Sequence, residues 1–168
     1  MAQLKDTTIT GNLAVTSSII AANSITATTL YGTVGNDYAE FRASAVSEPG
    51  RCVRENNNGI LTLTNTRLIP GASIISDTYG FSEGRTESAQ VPIAVCGRVL
   101  AYPARDISNY SAGMAVCSAP DGTVDIMTRE EIINYPDCIV GIVSEIPNYE
   151  IWSNAEIKVN GRIWIKVK

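Results

Sequence analysis

Asp37 and Glu40 are the residues whose type and spacing first suggest chemistry in this 168-residue chain. They stand in the run Gly35-Asn36-Asp37-Tyr38-Ala39-Glu40-Phe41-Arg42. If that run makes one turn, the two carboxyls face the same way and can share a proton, one serving as acid and the other as base. Such a pair suits peptide cleavage in place. The bond before Asp37 is also fragile by itself, because an aspartate can attack the preceding carbonyl and the Asn36 side chain can cyclise onto its own. Strain at a junction would help either route. Asn36, Asp37 and Glu40 are therefore the candidate catalytic residues of a self-cleaving site. An architectural reading of the same residues has the two acids capping backbone amides and pairing with Arg42 or with a neighbouring chain's arginine. Tyr38 and Phe41 would then anchor the segment in a folded domain.

Other chemistries find little footing. The chain has no histidine, which removes the commonest general base and metal ligand, and with it a Ser-His-Asp, Cys-His or His-based zinc site. The cysteines at 52, 96, 117 and 138 form no CxxC pair; Cys96 and Cys138 lie in apolar runs and read as buried free thiols. Asp121, Asp125 and the junction acids lack the dense oxygen-ligand loop that calcium requires, so neither a metal nor a cofactor is expected. Tyr79, Phe81, Tyr102, Tyr110, Tyr135, Tyr149 and Trp152 have the faces to stack on sugars, although singly placed aromatics more often serve a core or an interface. Net charge is −4 and the 13 Lys and Arg residues are scattered, which makes nucleic acid and anionic membranes poor partners. No stretch has the roughly 20 apolar residues of a membrane span, and the first residues lack a secretory pattern. The expectation is a protein made and kept soluble in the cytoplasm.

The elements that must position these residues fall into two textures. Residues 1–36 are rich in Thr, Ser, Ala and Asn, with isolated aliphatics at Ile9, Leu13, Val15, Ile19, Ile25 and Leu30. One such strand buries too little surface to offset its ordering entropy. Three copies wound about an axis would supply each other's core, which predicts a trimeric intertwined β-stalk serving for attachment. Residues 37–168 read as an all-β domain, a barrel or sandwich built from two pseudo-repeats at about 50–102 and 113–168. Gly50 to Val53 with Gly59 to Leu63 lines up with Gly113 to Val116 with Gly122 to Ile126 at an offset of about 63 residues. Ser73 to Ser76 matches Cys138 to Gly141, and Val95 to Leu100 matches Val159 to Trp164. Asn57-Asn58-Gly59 and Asp121-Gly122 supply the hairpin turns. One short helix is predicted after Thr128, where Thr128 and Glu131 have capping-box spacing and Pro136 stops the run. The stretches Gly80 to Ser88 and Arg105 to Gly113 read as exposed polar loops.

At the junction the sequence resembles a known family. Asp37-Tyr38-Ala39-Glu40 followed by Phe41 looks like the start of the intramolecular-chaperone autoproteolytic cleavage domains at the C-terminus of phage tail spikes and neck appendages. PIAVCGRVLAYP (92–103), CIVGIVSEIP (138–147) and VNGRIWIKV (159–167) are similar to segments of prophage-encoded relatives, so the likeness covers about residues 37–168. TTITGNLAVTSSI (7–19) resembles the β-repeats that precede such domains in phage fibres. The resemblance implies a homotrimeric virion fibre, spike or appendage, assembled in the host cytoplasm and joined to other virion proteins through the stalk. It also implies that the domain brings three chains into register, and that Asp37 and Glu40 act in a self-cleavage. Two other roles remain open at this level, a capsid decoration protein and a module that contacts a host cell-surface glycan or protein.

Overall fold

Period-two alternation turns the junction segment into a strand: along Asp37–Ala43 the first, third and fifth side chains are buried and those between them are partly exposed. The computed structural model describes Thr10 and residues 36–84, 89–152 and 157–167. The expected stalk, residues 1–36, lies outside the described residues apart from Thr10 and Asn36. The unit Gly32–Lys168 is described here by itself.

The unit is all-β apart from one short α-helix and three 3-10 turns among the described residues. In chain order the strands are β1 (Asp37–Ala43), β2 (Cys52–Glu55), β3 (Leu61–Leu63), β4 (Ser73–Ile74), β5 (Tyr79–Glu83) and β6 (Gln90–Ala101). There follow β7 (Ala115–Ala119), β8 (Thr123–Ile126), helix α1 (Arg129–Asn134), β9 (Ile139–Glu145), β10 (Ile151–Trp152), β11 (Ile157–Lys158) and β12 (Ile163–Val167). Seven strands form one sheet in the order β5-β1-β6-β12-β9-β7-β8, three form a second in the order β3-β2-β4, and β10 pairs with β11. An isolated bridge between Ile75 and Ile93 joins the small sheet to β6. Each triplet β2-β3-β4 and β7-β8-β9 thus pairs its second strand and its third on opposite sides of its first.

Strand β6 is long because it is shared. Gln90 to Gly97 pair with β1, and Gly97 to Ala101 pair with β12. Ile74, Val99, Val116, Val124, Ile163 and Ile165 meet in the main core, which draws residues from both triplets and from β6 and β12. A smaller cluster of Leu100, Val159 and Trp164 lies under β10 and β11, and another of Ala115, Cys117 and Met127 lies under α1.

Local chemistry sets the turns. The β7–β8 connection puts Asp121 and Gly122 at φ of 59° and 65°, the left-handed region that Asp and Gly tolerate best. Helix α1 starts at a full capping box: the Glu131 N–H donates to the Thr128 hydroxyl at 3.2 Å, and the Thr128 N–H donates to the Glu131 carboxylate at 2.8 Å.

Three expectations are corrected. The junction does not make a turn; it is β1, so Asp37 and Glu40, three residues apart, point to opposite sides of the strand. Cys96 is exposed, unlike the buried Cys52, Cys117 and Cys138. The cause is a register shift between Tyr38 and Ala39, opposite Val95, which leaves the consecutive Val95 and Cys96 both facing out. The stretch expected to be a loop from Gly80 begins instead within β5, which runs parallel to β1.

Candidate functional site at the entry of strand β1

Asn36 and Asp37 are locked from two sides. The Asn36 N–H donates to the Thr78 carbonyl at 2.8 Å, and the Asn36 carbonyl accepts from the Arg98 N–H at 2.8 Å. Gly97 makes that approach possible, because a Cβ there would lie 2.3 Å from the Asn36 oxygen and 2.7 Å from the Asp37 Cα. Its φ of +103° suits glycine as well.

Asp37 itself is buried. The Thr78 hydroxyl donates to its Oδ1 at 2.7 Å, and the Ser76 and Thr78 hydroxyls lie 3.3 Å apart. Its Oδ2 and the Asn36 Nδ2 are buried with no partner among the described residues. Burial, the largest influence, pushes the Asp37 carboxyl up to about 6 against the pull of the Thr78 and Ser76 hydroxyls, and Asp77 adds a further push. A carboxyl titrating there can hold or release a proton close to neutral pH. It stands beside a carbonyl already polarised by a backbone donor.

The segment Ser76–Thr78 that caps this carboxyl is itself clamped. The Ser76 N–H donates to the Pro92 carbonyl at 2.8 Å. Arg162, buried at 2% exposure, reaches both Asp77 carboxylate oxygens at 2.9 Å. Ser76, Thr78, Gly97 and Arg98 were not singled out from sequence for this site. They lie some 40 to 60 residues from Asp37, and the one local sign is the Ser-Asp-Thr run between two strands.

Glu40 is not brought to this carboxyl. It faces the other side of β1, 3.7 Å from Arg42, whose guanidinium also pairs with Glu55 at 2.6 Å. Tyr38 donates to Glu83, which pushes its hydroxyl up to about 12. Phe41 meets Tyr79 edge to face at 6.0 Å. Glu40 and Phe41 therefore hold positions that suit the architectural reading, whereas Asp37 occupies a site that favours the protonated form of a carboxyl more than water does.

The remaining candidates are scattered. Asp125 bonds Arg105 at 2.6 Å and also bonds Arg67, which holds Glu131 at 2.9 Å; Asp121 sits in the β7–β8 turn. Among the described residues no group of three or more His, Cys, Asp or Glu side chains converges in a metal-binding cluster. Tyr110, offered from sequence as a sugar-stacking ring, is buried and donates its hydroxyl to the Val124 carbonyl at 2.8 Å. Trp152 packs against Trp164 at 5.1 Å, and Trp164 donates to Tyr149, which donates to Glu145. Arg98 closes that ring by bonding Glu145 at 3.3 Å and lying 5.0 Å from the Trp164 ring centre. Phe81 and Tyr135 are exposed. No helix among the described residues is long and apolar enough to cross a membrane. Compared with known proteins, the chain matches no family model, no curated protein and no solved structure.

Proposed function

We propose that this chain is a bacteriophage virion structural protein, a homotrimeric fibre, spike or appendage whose C-terminal β-unit brings three chains into register. One observation carries the proposal. The four segments that resemble the phage chaperone domains coincide with β1, β6, β12 and β9, which are consecutive neighbours in the large sheet. Segments scattered over the sequence thus form one contiguous block, as the framework of a single domain would. The finer architecture follows the same reading: residues of about 50–102 and 113–168 are the two pseudo-repeats of a barrel or sandwich, with β3-β2-β4 and β8-β7-β9 as their corresponding triplets, and residues 1–36 are its trimeric stalk. Register is the problem such a domain solves, because repetitive strands slip unless an adjoining unit fixes their alignment. In a virion the protein works by assembly, joined to other virion proteins through the stalk and facing the host surface through the β-unit.

The test is the mass of the whole protein in solution, by sedimentation or light scattering. Three times the 18.0 kDa chain mass is expected; a well-folded single chain overturns the proposal. Labelled antibody against the β-unit should then decorate intact phage particles.

A second reading is favoured by the buried Asp37 carboxyl, held near neutral titration beside the Asn36 carbonyl that the Arg98 N–H polarises. In it the unit is a single-turnover autoprotease that cuts at the Asn36–Asp37 bond. A denaturing gel of the purified virion protein separates the two. A full-length band excludes cleavage, and fragments that vanish in Asp37→Asn but persist in Glu40→Gln assign it to Asp37.

A further inference from the structure

Ser76, Asp77 and Thr78 lie in the step between β4 and β5, and their side chains divide between two partners. The Ser76 and Thr78 hydroxyls stand 3.3 Å apart, and Thr78 donates to the Asp37 Oδ1 at 2.7 Å. Asp77, between them, takes both arms of the Arg162 guanidinium at 2.9 Å. Arg162 is set in place by the turn into β12: Asn160 and Gly161 adopt φ of 51° and 71°, and the Arg162 N–H donates to the Val159 carbonyl at 3.0 Å. Its side chain also donates to the Lys158 and Val159 carbonyls, which pins it against Asp77. Three consecutive residues thus tie the Asp37 carboxyl to a guanidinium 85 residues beyond Asp77.

That tie is electrical as well as mechanical. Burial is the first cause of the hold Asp37 has on its proton, and Asp77 is the neighbouring charge that adds to it. The other charged and titratable groups around Asp37 are engaged elsewhere. On β1, Tyr38 and Glu40 reach Glu83 and Arg42. Strand β6 presents backbone at Gly97 and at the Arg98 N–H, while the Arg98 guanidinium pairs with Glu145. On β5, Tyr79 pairs with Asp37 in register and sets its ring edge to face with Phe41. The Asp37 Oδ2 has no partner among the described residues, so the ionised carboxyl lacks the donors that would make it indifferent to a nearby charge. Arg162 cancels most of the field of Asp77, because a paired anion and cation act at a distance as a dipole.

We infer that Arg162 is a positioning residue for Asp37, acting through Asp77 on the charge of the carboxyl. Seated on Asp77, it leaves Asp37 free to give up its proton; withdrawn, it uncovers a second carboxylate whose repulsion keeps the proton on Asp37. The inference adds regulation to the autoprotease reading and rests on that reading for what the proton is used for. The charge of Asp37 is measured without any cleavage, so the two can fail separately.

The experiment uses the full chain with isotope-labelled aspartate. The carboxyl resonance of Asp37, assigned by its loss in Asp37→Asn, is followed by NMR against pH in the parent, Asp77→Asn, Arg162→Gln and Arg162→Lys. Asp77→Asn and Arg162→Gln break the same ion pair, yet they should move the Asp37 midpoint in opposite directions, the first down and the second up, each by about half a pH unit or more. Arg162→Lys, which keeps the charge, should stay close to the parent. If the pair only braces the segment, both breaks admit water and both midpoints fall; that result, or no movement in either, overturns the inference. Should Arg162→Gln fail to fold, Asp77→Asn against Arg162→Lys decides alone: a lysine variant that falls as far as Asp77→Asn overturns it.

Discussion

Arg162 and Asp77, 85 residues apart, are joined by two parallel hydrogen bonds of 2.9 Å. The guanidinium is almost fully enclosed, also donates to the carbonyls of Lys158 and Val159, and lies 5.9 Å from the Tyr102 ring centre. Gly50 leaves it room, since a Cβ there would stand 2.5 Å from the Arg162 Cδ. Arg98, on β6, likewise pairs with Glu145, on β9.

Removing the Arg162 side chain should be among the costliest single changes. Arg162→Ala takes the fork away from a partly buried carboxylate and opens a cavity, which should cost about 3–5 kcal/mol. Arg162→Lys keeps the charge and loses the two-point geometry, for a loss of about 2 kcal/mol. Urea unfolding followed by fluorescence measures both; a Lys variant as stable as the parent would show that the two-point geometry contributes nothing.

The Asp37 carboxyl gives a pH dependence of defined sign. Its proton is held more tightly in the folded chain, where burial lifts the carboxyl from 3.8 to about 6. The stability this adds is fully present below about pH 4 and is lost as pH rises through about 6, a change of about 3 kcal/mol. Glu48, Asp106 and Glu131 are lowered by their hydrogen bonds and act in the opposite sense. The clean measurement is therefore the difference between the parent and Asp37→Asn, which should grow in the variant's favour from pH 4 to pH 7. A flat difference would refute a buried, protonated Asp37.

Gly97→Ala should separate β1 from β6 at its entry. The added Cβ meets backbone, which cannot swing aside, and the residue also carries a positive φ; a loss of about 2–4 kcal/mol is expected. Gly113→Ala is the control, with a similar φ and nothing within 4 Å of the added carbon, and should cost about 1 kcal/mol. Hydrogen exchange of the Arg98 amide, which donates to Asn36, should speed up in the first variant and not in the second.

Thr128→Ala removes half of the capping box and should destabilise the unit by about 1 kcal/mol. Thermal unfolding followed by circular dichroism measures the loss. Thr128→Ser, which keeps the hydroxyl that accepts from the Glu131 N–H, should unfold as the parent does.

What could be read ahead of the structure was local in origin. The hairpin turns at Asn58-Gly59 and Asp121-Gly122, the capping box of Thr128 and the all-β character each depend on residues a few positions apart. The junction was misjudged because spacing of three between two acids suggests one face of a turn, whereas pairing to β6, more than fifty residues away, makes it a strand. Cys96 was misjudged for a related reason: its apolar surroundings suggest burial, and only the pairing irregularity at Tyr38 turns it outward. The groups that give Asp37 its character, Ser76, Thr78, Gly97 and Arg98, meet it only after the sheet has formed.

Strand β12 leaves the ribosome after every other strand of the large sheet, yet it occupies the middle of that sheet, between β6 and β9. A nascent chain halted before Ile163 would own two half-sheets with no seam to join them, and one halted before Arg162 would leave Asp77 waiting. Folding of the unit therefore acts as proofreading: only a polypeptide translated through β12 can close the sheet, and prematurely terminated copies exclude themselves.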